Sequence, residues 1–475
     1  MDQAWLSILP SVISIAAAIW SKKILPSLLF GLIIGSYLLN PSLVGGIETA
    51  IENLLKIMSD KNNLQVLLFL YLFSGLFTLV KRAGGIEAFS NWIERYVTSK
   101  NGVLYILWAL IPVTFIDCAF RIVGAGAIIS PLAEKNKVSR ERIAFTLNNT
   151  ASPLIELIPI ATTFVGFNIA NIGLGLKAAG LENKMSAYET LLQAIPFEFF
   201  SIVVLLITLS SIFFQWESTS AQPIESDAEV KTSGSMKMGV ENEAPEINPR
   251  MFNLVVPIMT IISLSVLFFW YFGARKVGFG NSISAIIQAT EPNKAMLVAL
   301  FISIAITGFI YFLQKYSVKK MTADMIFGGN ELISVLAILV VAWALGHVSQ
   351  DLNLGTFIQN QLGNSMPAWS IPISIFLLSS AVTYFIGTGW AAASLIMPFA
   401  ISLAVSAGSD IPICVGAVIT GGTFGDVTSP VAGMTNMASA VTRADHMKYL
   451  RYANPYNFVA LAAAAVLFLI FGYFG

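Results

Sequence analysis

Long apolar runs broken by short polar punctuation dominate the chain. About 20 consecutive apolar residues suffice to cross a bilayer as a helix. On that measure the pattern predicts spans at about 4–20, 24–40, 64–80, 142–163, 191–214, 251–273, 296–314, 331–349, 411–441 and 454–474. Two further stretches, 102–133 and 368–406, are too long for one simple span, and glycine and polar residues interrupt each near its middle. One acidic segment rich in Ser, Pro and Gly, about 216–250, divides the chain near its centre and reads as a flexible linker.

The halves repeat. Gly85-Ile86-Glu87-Ala88-Phe89 and the amphipathic stretch after it match Leu354-Gly355-Thr356-Phe357 and its own sequel. Phe115-Ile116-Asp117 matches Phe385-Ile386-Gly387, and Asn149-Thr150-Ala151-Ser152-Pro153 matches Asp426-Val427-Thr428-Ser429-Pro430. Pro196-Phe197-Glu198-Phe199 matches Pro455-Tyr456-Asn457-Phe458. Shared Leu and Ile could follow from composition, but two Ser-Pro pairs inside apolar runs do not.

Charge placement gives the repeats their orientation. Lys81, Arg82, Arg95 and Lys100 follow the first repeat's opening span, whereas Gln350 to Trp369 holds no Lys or Arg. Cytoplasmic loops collect Lys and Arg, so the two segments fall on opposite sides, as an inverted repeat requires. Lys135, Lys137, Arg140 and Arg142 cluster, as do Lys315, Lys319 and Lys320, and Arg443, Lys448 and Arg451. Placing all three clusters in the cytoplasm makes each interrupted stretch leave on the side it entered; Arg275, Lys276 and Lys294 oppose the scheme. The expected fold is an all-α polytopic membrane protein of two inverted repeats, with about ten transmembrane helices, two re-entrant hairpins and broken helices. Scaffold helices occupy 1–63 and 251–330. The first repeat, 64–215, holds hairpin 102–133 and broken helix 142–163. The linker 216–250 is cytoplasmic, both termini are outside, and the second repeat, 331–475, holds hairpin 368–406 and broken helix 411–441.

Composition narrows the function. Of 475 residues, 56% are hydrophobic and 11% charged, against about 25% charged in soluble domains. Lys plus Arg and Asp plus Glu both total 27, so no basic surface for nucleic acid is expected. Cys118 and Cys414 lie in apolar segments and form neither a disulfide framework nor a zinc spacing. The N-terminus lacks a basic start and a small-residue cleavage site, so no removable signal peptide is expected. Without a phosphate-binding loop or a nucleophile–base motif, neither ATP-driven transport nor an enzyme is expected, and no cofactor.

Candidate chemistry gathers where helices break. Backbone that leaves helical geometry in a bilayer must be buried in protein or line a wet cavity. Ser152-Pro153 and Ser429-Pro430 mark two such breaks, since proline removes an intrahelical hydrogen bond. Freed carbonyls can hold a cation, and hard cations prefer oxygen. Asn148, Asn149, Thr150 and Ser152 supply oxygens in one half; Asp426, Thr428, Ser429, Thr435 and Asn436 do so in the other. The alternative is a proline kink with its hydroxyls bonded back to their own helix. The hairpin tips carry Asp117 and Arg121, and Gly387, Thr388 and Gly389. Asp117 and Arg121 could pair with each other at a spacing of four; otherwise Arg121 neutralises Asp426 or grips a substrate carboxylate. Asp426, Asp117 and Glu156 are the candidate proton carriers. Sodium is expected at Asn149, Thr150, Ser152, Asp426, Thr428 and Ser429. Glu198 sits near a span end and reads as snorkelling. His347 and His446 read as structural, and the glycosylation triplet at Asn148 as unused inside a membrane.

These stretches resemble the NhaC-type sodium/proton antiporters of the larger ion-transporter superfamily. The likeness is densest from Phe115 to Pro131, from Val138 to Pro153, from Gly387 to Pro398 and from Phe424 to Ser439. It implies a bacterial inner-membrane secondary transporter, a homodimer, and a hairpin domain that moves like an elevator. The family commonly has an acidic pair where this chain has Asp117-Cys118, Asp at Asn148, His at Val427 and an acid at Gly433. The expected function is sodium/proton exchange by alternating access at a midplane site. The alternative is sodium- or proton-coupled transport of an amino acid or organic carboxylate. A passive channel would show a continuous polar stripe, which is lacking. The expected partners are the lipid bilayer, small ions and a small carboxylate or amino acid.

Overall fold

In lipid an apolar segment must satisfy its backbone internally, so these runs can only be helices. The computed structural model describes residues 3–21, 23–85, 87–88, 92, 99–115, 117–160, 162–214, 246–282, 286, 289–353 and 366–474. Most of the linker at 216–250, together with Arg95 and the repeat segment Leu354 to Phe357, falls outside them. Seven described helices are long and apolar enough to cross a bilayer. They become eight when Ala187–Phe197 and Phe199–Phe213, which meet at 44°, count as one span. The chain is a multi-pass membrane protein.

The scaffold begins with α1 (Leu9–Ser21), α2 (Ile24–Leu39) and the amphipathic α3 (Gly45–Ser59). Then α4 (Lys61–Arg82) opens the first half. The stretch expected at 102–133 runs as α5 (Lys100–Ala109) and a short turn, Ile111–Thr114. It continues beyond Asp117 into a π-helical turn, Arg121–Ala125, and α6 (Gly126–Lys135), and α6 packs back on α5. Next come α7 (Arg140–Asn149) and the one-turn α8 (Ser152–Glu156), parted at Thr150-Ala151. The expected span 142–163 is therefore two short pieces. A further helix, α9 (Thr163–Ala178), follows. Its Asn168, Asn171 and three glycines lower its hydropathy, and it is buried in protein rather than in lipid. The half closes with α10 (Ala187–Ala194) and α11 (Phe199–Phe213).

Beyond the linker stand α12 (Phe252–Val277), α13 (Pro292–Leu313) and α14 (Val318–Glu331). Lys276 and Lys294 share Glu291 between α12 and α13, at 2.9 and 3.3 Å. The Lys276 hydrogen bond, opposed by partial burial and joined by Lys294, holds the Glu291 carboxyl below its ordinary range. The α14 helix lies along α4, with Ser74 Oγ donating to the Gly328 carbonyl at 2.6 Å. The second half is α15 (Ile333–Asp351), a hairpin of α16 (Ile371–Ile386) and α17 (Gly389–Ala407), α18 (Ile411–Thr428), α19 (Gly433–Thr442) and α20 (His446–Phe474). Gly387 makes the hairpin turn at φ +85°, a conformation that favours glycine.

The halves exchange contacts. From the first half, α9 packs on α17 of the second hairpin, where a Cβ on Gly175 would stand 2.6 Å from Ile401 Cδ1. From the second half, α19 packs on α6 and its π-helical turn, and Ser130 Oγ donates to the Val441 carbonyl at 3.2 Å. The centre is α18, buried from Ile413 to Thr428. Its small residues admit α16 closely, as small residues do between membrane helices. A Cβ on Gly421 would stand 2.7 Å from Ser379 Cβ, and one on Gly425 would strike Thr383. Overpacking such a contact costs about 1–3 kcal/mol. Gly425→Ala is therefore expected to lower the melting temperature in detergent, while Gly308→Ala, which meets nothing within 4 Å, leaves it unchanged or raises it. Equal melting of the two variants would contradict this packing.

Candidate ion and substrate site

The two helix breaks meet. Asp426, in the last turn of α18, is 3% exposed. Its Oδ1 accepts from the backbone N–H of Gly389 at 2.9 Å, and its Oδ2 accepts from Ser152 Oγ at 3.2 Å. Gly389 is the first residue of α17, so the carboxylate faces the positive end of a 19-residue helix. One side chain thus joins the second hairpin's tip to the first half's break. The Gly387 turn lies against the second break, where an added Cβ would stand 2.8 Å from the Val431 carbonyl. Thr388 precedes α17 in extended conformation, and its side chain caps nothing. Trp390 fixes the tip from outside, its ring 4.9 and 4.4 Å from those of Phe164 and Phe167 on α9.

Arg121 is fully buried and braces the first break. Its Nε donates to the Thr150 carbonyl at 2.6 Å, Nη1 to Thr114 Oγ1 at 2.7 Å, and Nη2 to the Leu107 carbonyl at 2.8 Å and Thr150 Oγ1 at 2.7 Å. It pairs with neither Asp117 nor Asp426, and four of its five N–H donors are taken by Thr150, Thr114 and Leu107. Asp117, half-buried, instead accepts from Thr163 Oγ1 at 3.1 Å, at the start of α9. Asn148 Nδ2 donates to Tyr449 Oη at 2.9 Å, and Asn149 Nδ2 to Asn457 Oδ1 at 2.8 Å and Thr208 Oγ1 at 3.2 Å. The Oδ1 atoms of both asparagines are buried without partners.

In the second break most polar groups close their own backbone. Thr428 Oγ1 donates to the Phe424 carbonyl, Ser429 Oγ to that of Tyr384, and Asn436 Nδ2 to that of Ala432. Thr435 Oγ1 donates to the carbonyls of Ser429 and Ala432. Of the six residues expected around sodium, Ser152 and Asp426 share a hydrogen bond, the Asn149 amide nitrogen and the hydroxyls of Thr150, Thr428 and Ser429 point to other partners, and Asn149 Oδ1 stays free. No three His, Cys, Asp or Glu side chains among the described residues stand together as a metal cluster. Glu156 Oε2 accepts from Thr423 Oγ1, one turn before Asp426. Sequence reasoning passed over Thr114, Tyr449 and Thr423, and it used Asn457 only to align the repeats; the Asn457 match was the one available signal.

Two halves joined at a buried carboxylate between broken helices define a secondary transporter. Residues 163–475 match the Na+/H+ antiporter family, and the chain belongs to that family. A Haemophilus influenzae protein is 25% identical over 98% of this chain and 91% of its own length. The malate-2H(+)/Na(+)-lactate antiporter of Bacillus subtilis is 26% identical over 37% of this chain and 38% of its own. The Na(+)/H(+) antiporter NhaC of Alkalihalophilus pseudofirmus is 26% identical over 40% of each chain. Among solved structures, the YdaH transporter of Alcanivorax borkumensis has the same fold at TM-score 0.63 and 15% identity, covering 90% of this chain and 89% of its own. MtrF of Neisseria gonorrhoeae, one of a class of antimetabolite efflux pumps, follows at TM-score 0.50 and 14% identity, over 91% and 85%.

Removing the guanidinium of Arg121 would orphan the Thr150 carbonyl in a place water does not reach, at about 1–3 kcal/mol per unpaired group. Arg121→Ala is expected to lower the detergent melting temperature by several degrees. Arg121→Lys should restore little, because one ammonium cannot span partners on three segments. Full stability in Arg121→Lys would show that the bracing is dispensable.

Proposed function

We propose that the chain is an ion-coupled secondary transporter of the bacterial inner membrane, exchanging sodium for protons at Asp426. The observation that carries this reading is the bridge from Asp426 to Gly389 and Ser152. A carboxylate holds either a cation or a proton at one negative charge, and that competition is the least an exchanger needs. Sodium would take oxygens from Asp426 and Ser152, with the free Oδ1 atoms of Asn148 and Asn149 as unspent acceptors on the first half. Protonation would weaken the hold of Asp426 on the Gly389 N–H and so loosen the hairpin tip. The ion then sets how firmly the second hairpin grips the first break.

The exchanged packing of α9 on the second hairpin and α19 on the first supports two inverted repeats, with alternating access as the mode of transport. A second reading, exchange of an organic carboxylate, draws on the malate and lactate relative and on the acids absent at Asn148, Val427 and Gly433. Arg121 gives it little support, since four of its five N–H donors are engaged by the break and by its own hairpin.

In proteoliposomes with an internal pH dye, an inward sodium gradient is expected to drive protons out, and Asp426→Asn to reduce this at least tenfold. Thr428→Val, which loses only a bond to its own helix, should stay within about twofold. Wild-type exchange by Asp426→Asn would refute the assignment. Flux that needs malate or lactate would favour the second reading.

A further inference from the structure

We propose that Glu156 and Glu198 form a proton-binding pair beside Asp426, which gives up the coupling proton when Asp426 takes the cation. This rests on the transporter reading above. Glu198 stands where the span bends by 44°, in the N-cap position of α11. It is fully buried, its side chain caps nothing, and neither carboxyl oxygen has a partner. That is unlike a side chain snorkelling to an interface. Glu156, 6% exposed, ends α8, which packs against both α11 and α18. Its one hydrogen bond is from Thr423, and the charges acting on it are those of Glu198 and Asp426.

Among the described residues no cation pairs with either carboxyl. None of the described ion pairs includes Glu156, Glu198 or Asp426. The titratable groups facing them are one another and the Cys118 thiol, on which Glu156 and Asp426 both act. Of the other elements packed on α11, α7 brings Arg142, which donates to the Ser211 carbonyl at the far end of that helix. On α5, Lys100 is exposed; on α7, Arg140 is half-buried; on α20, Lys448 and Arg451 are exposed. Two neighbouring carboxyls without a countercharge cannot both be ionised in a protein interior, so the pair holds at least one proton.

The repeat adds an independent argument. Glu198 corresponds to Asn457, and Asp426 to Asn149. Asn457 accepts from Asn149 at 2.8 Å and donates to the Val427 carbonyl at 3.2 Å. Each half thus supplies one amide and one carboxyl, Asn149 with Glu198 in the first and Asn457 with Asp426 in the second, and the two amides meet. The amides satisfy each other at any pH. Carboxyls at the equivalent positions can hydrogen-bond in the same way only when one of them is protonated, so the repeat sets a titratable pair opposite an uncharged one.

The test uses the purified full-length protein. An infrared difference spectrum across a pH step should show the carbonyl stretch of a protonated carboxyl, absent from the Glu156→Gln, Glu198→Gln double variant. Glu198→Gln alone should bind radioactive sodium within about threefold of wild type, yet lose at least tenfold in sodium-driven proton movement. An unchanged infrared band in the double variant, or wild-type exchange by Glu198→Gln, overturns the proposal. Should Glu198→Gln melt early, Glu156→Gln serves for both readouts. A wild-type protein that neither binds sodium nor moves protons sinks the transporter reading instead, and the infrared band still decides the pair.

Discussion

An unwound turn at mid-membrane depth has no water to turn to, so each freed carbonyl and N–H must find a partner in protein. That requirement shapes the core of this chain. The first break, at Thr150-Ala151, is closed by the guanidinium of Arg121 from the facing hairpin. The second, around Ser429 and Ala432, is closed by Thr435, Asn436, Asn454 and its own hydroxyls. The two solutions differ in kind. One recruits a buried cation from another element; the other is local. The first break is therefore tied to its hairpin by a charged side chain that cannot let go without exposing bare carbonyls. The second hairpin is tied to its break through Gly387, Tyr384 and, above all, Asp426, whose bonds depend on its charge.

This difference makes one joint permanent and the other conditional. Arg121 keeps its charge at any physiological pH, so the first hairpin and first break act as one body. On the proposed reading Asp426 loses its charge to a proton or lends it to a cation, and the link from the second hairpin's tip to Ser152 then varies with what is bound. Aromatic packing of Trp390 between Phe164 and Phe167 holds the same tip to α9 without regard to charge. The tip is thereby guided on one side and released on the other, which suits a gate better than a hinge.

Much of the helical pattern was readable in the order of residues, because lipid selects for unbroken apolar runs. Both Ser-Pro breaks and the Gly387 tip could be placed, since proline and glycine act locally. What escaped was decided by long-range burial. Thr163–Ala178 did not stand out, because a helix surrounded by protein need not be strongly apolar. The helices Gly45–Ser59 and Val318–Glu331 carry charges on one face and fall below any spanning threshold. Glu198 looked like a span end because nothing local tells that the chain bends there inside the core. Within the site, sequence placed polar residues at the breaks but could not tell a hydroxyl facing the pocket from one bonded to its own helix, as at Thr428. Arg121 was legible as important, yet its partners, Leu107, Thr114 and Thr150, lie on other segments.

The placement of charge also bears on how two ions could be kept from travelling together. Arg121 gives the core one fixed positive charge, while Asp426, Glu156 and Glu198 bring three groups that can each be negative. Carboxylates about 4 Å apart repel by roughly 4 kcal/mol at an effective dielectric near 20, enough to change a proton's occupancy about a thousandfold. A cation arriving at Asp426 cancels part of the field that holds the proton on its neighbours, and a proton arriving there strengthens the claim of the cation's absence. On the proposed reading, like-charge repulsion between buried acids would couple the two ions without a wire of moving side chains. The amides Asn149 and Asn457, at the positions equivalent to Asp426 and Glu198, stand hydrogen-bonded and uncharged and add no charge to that field.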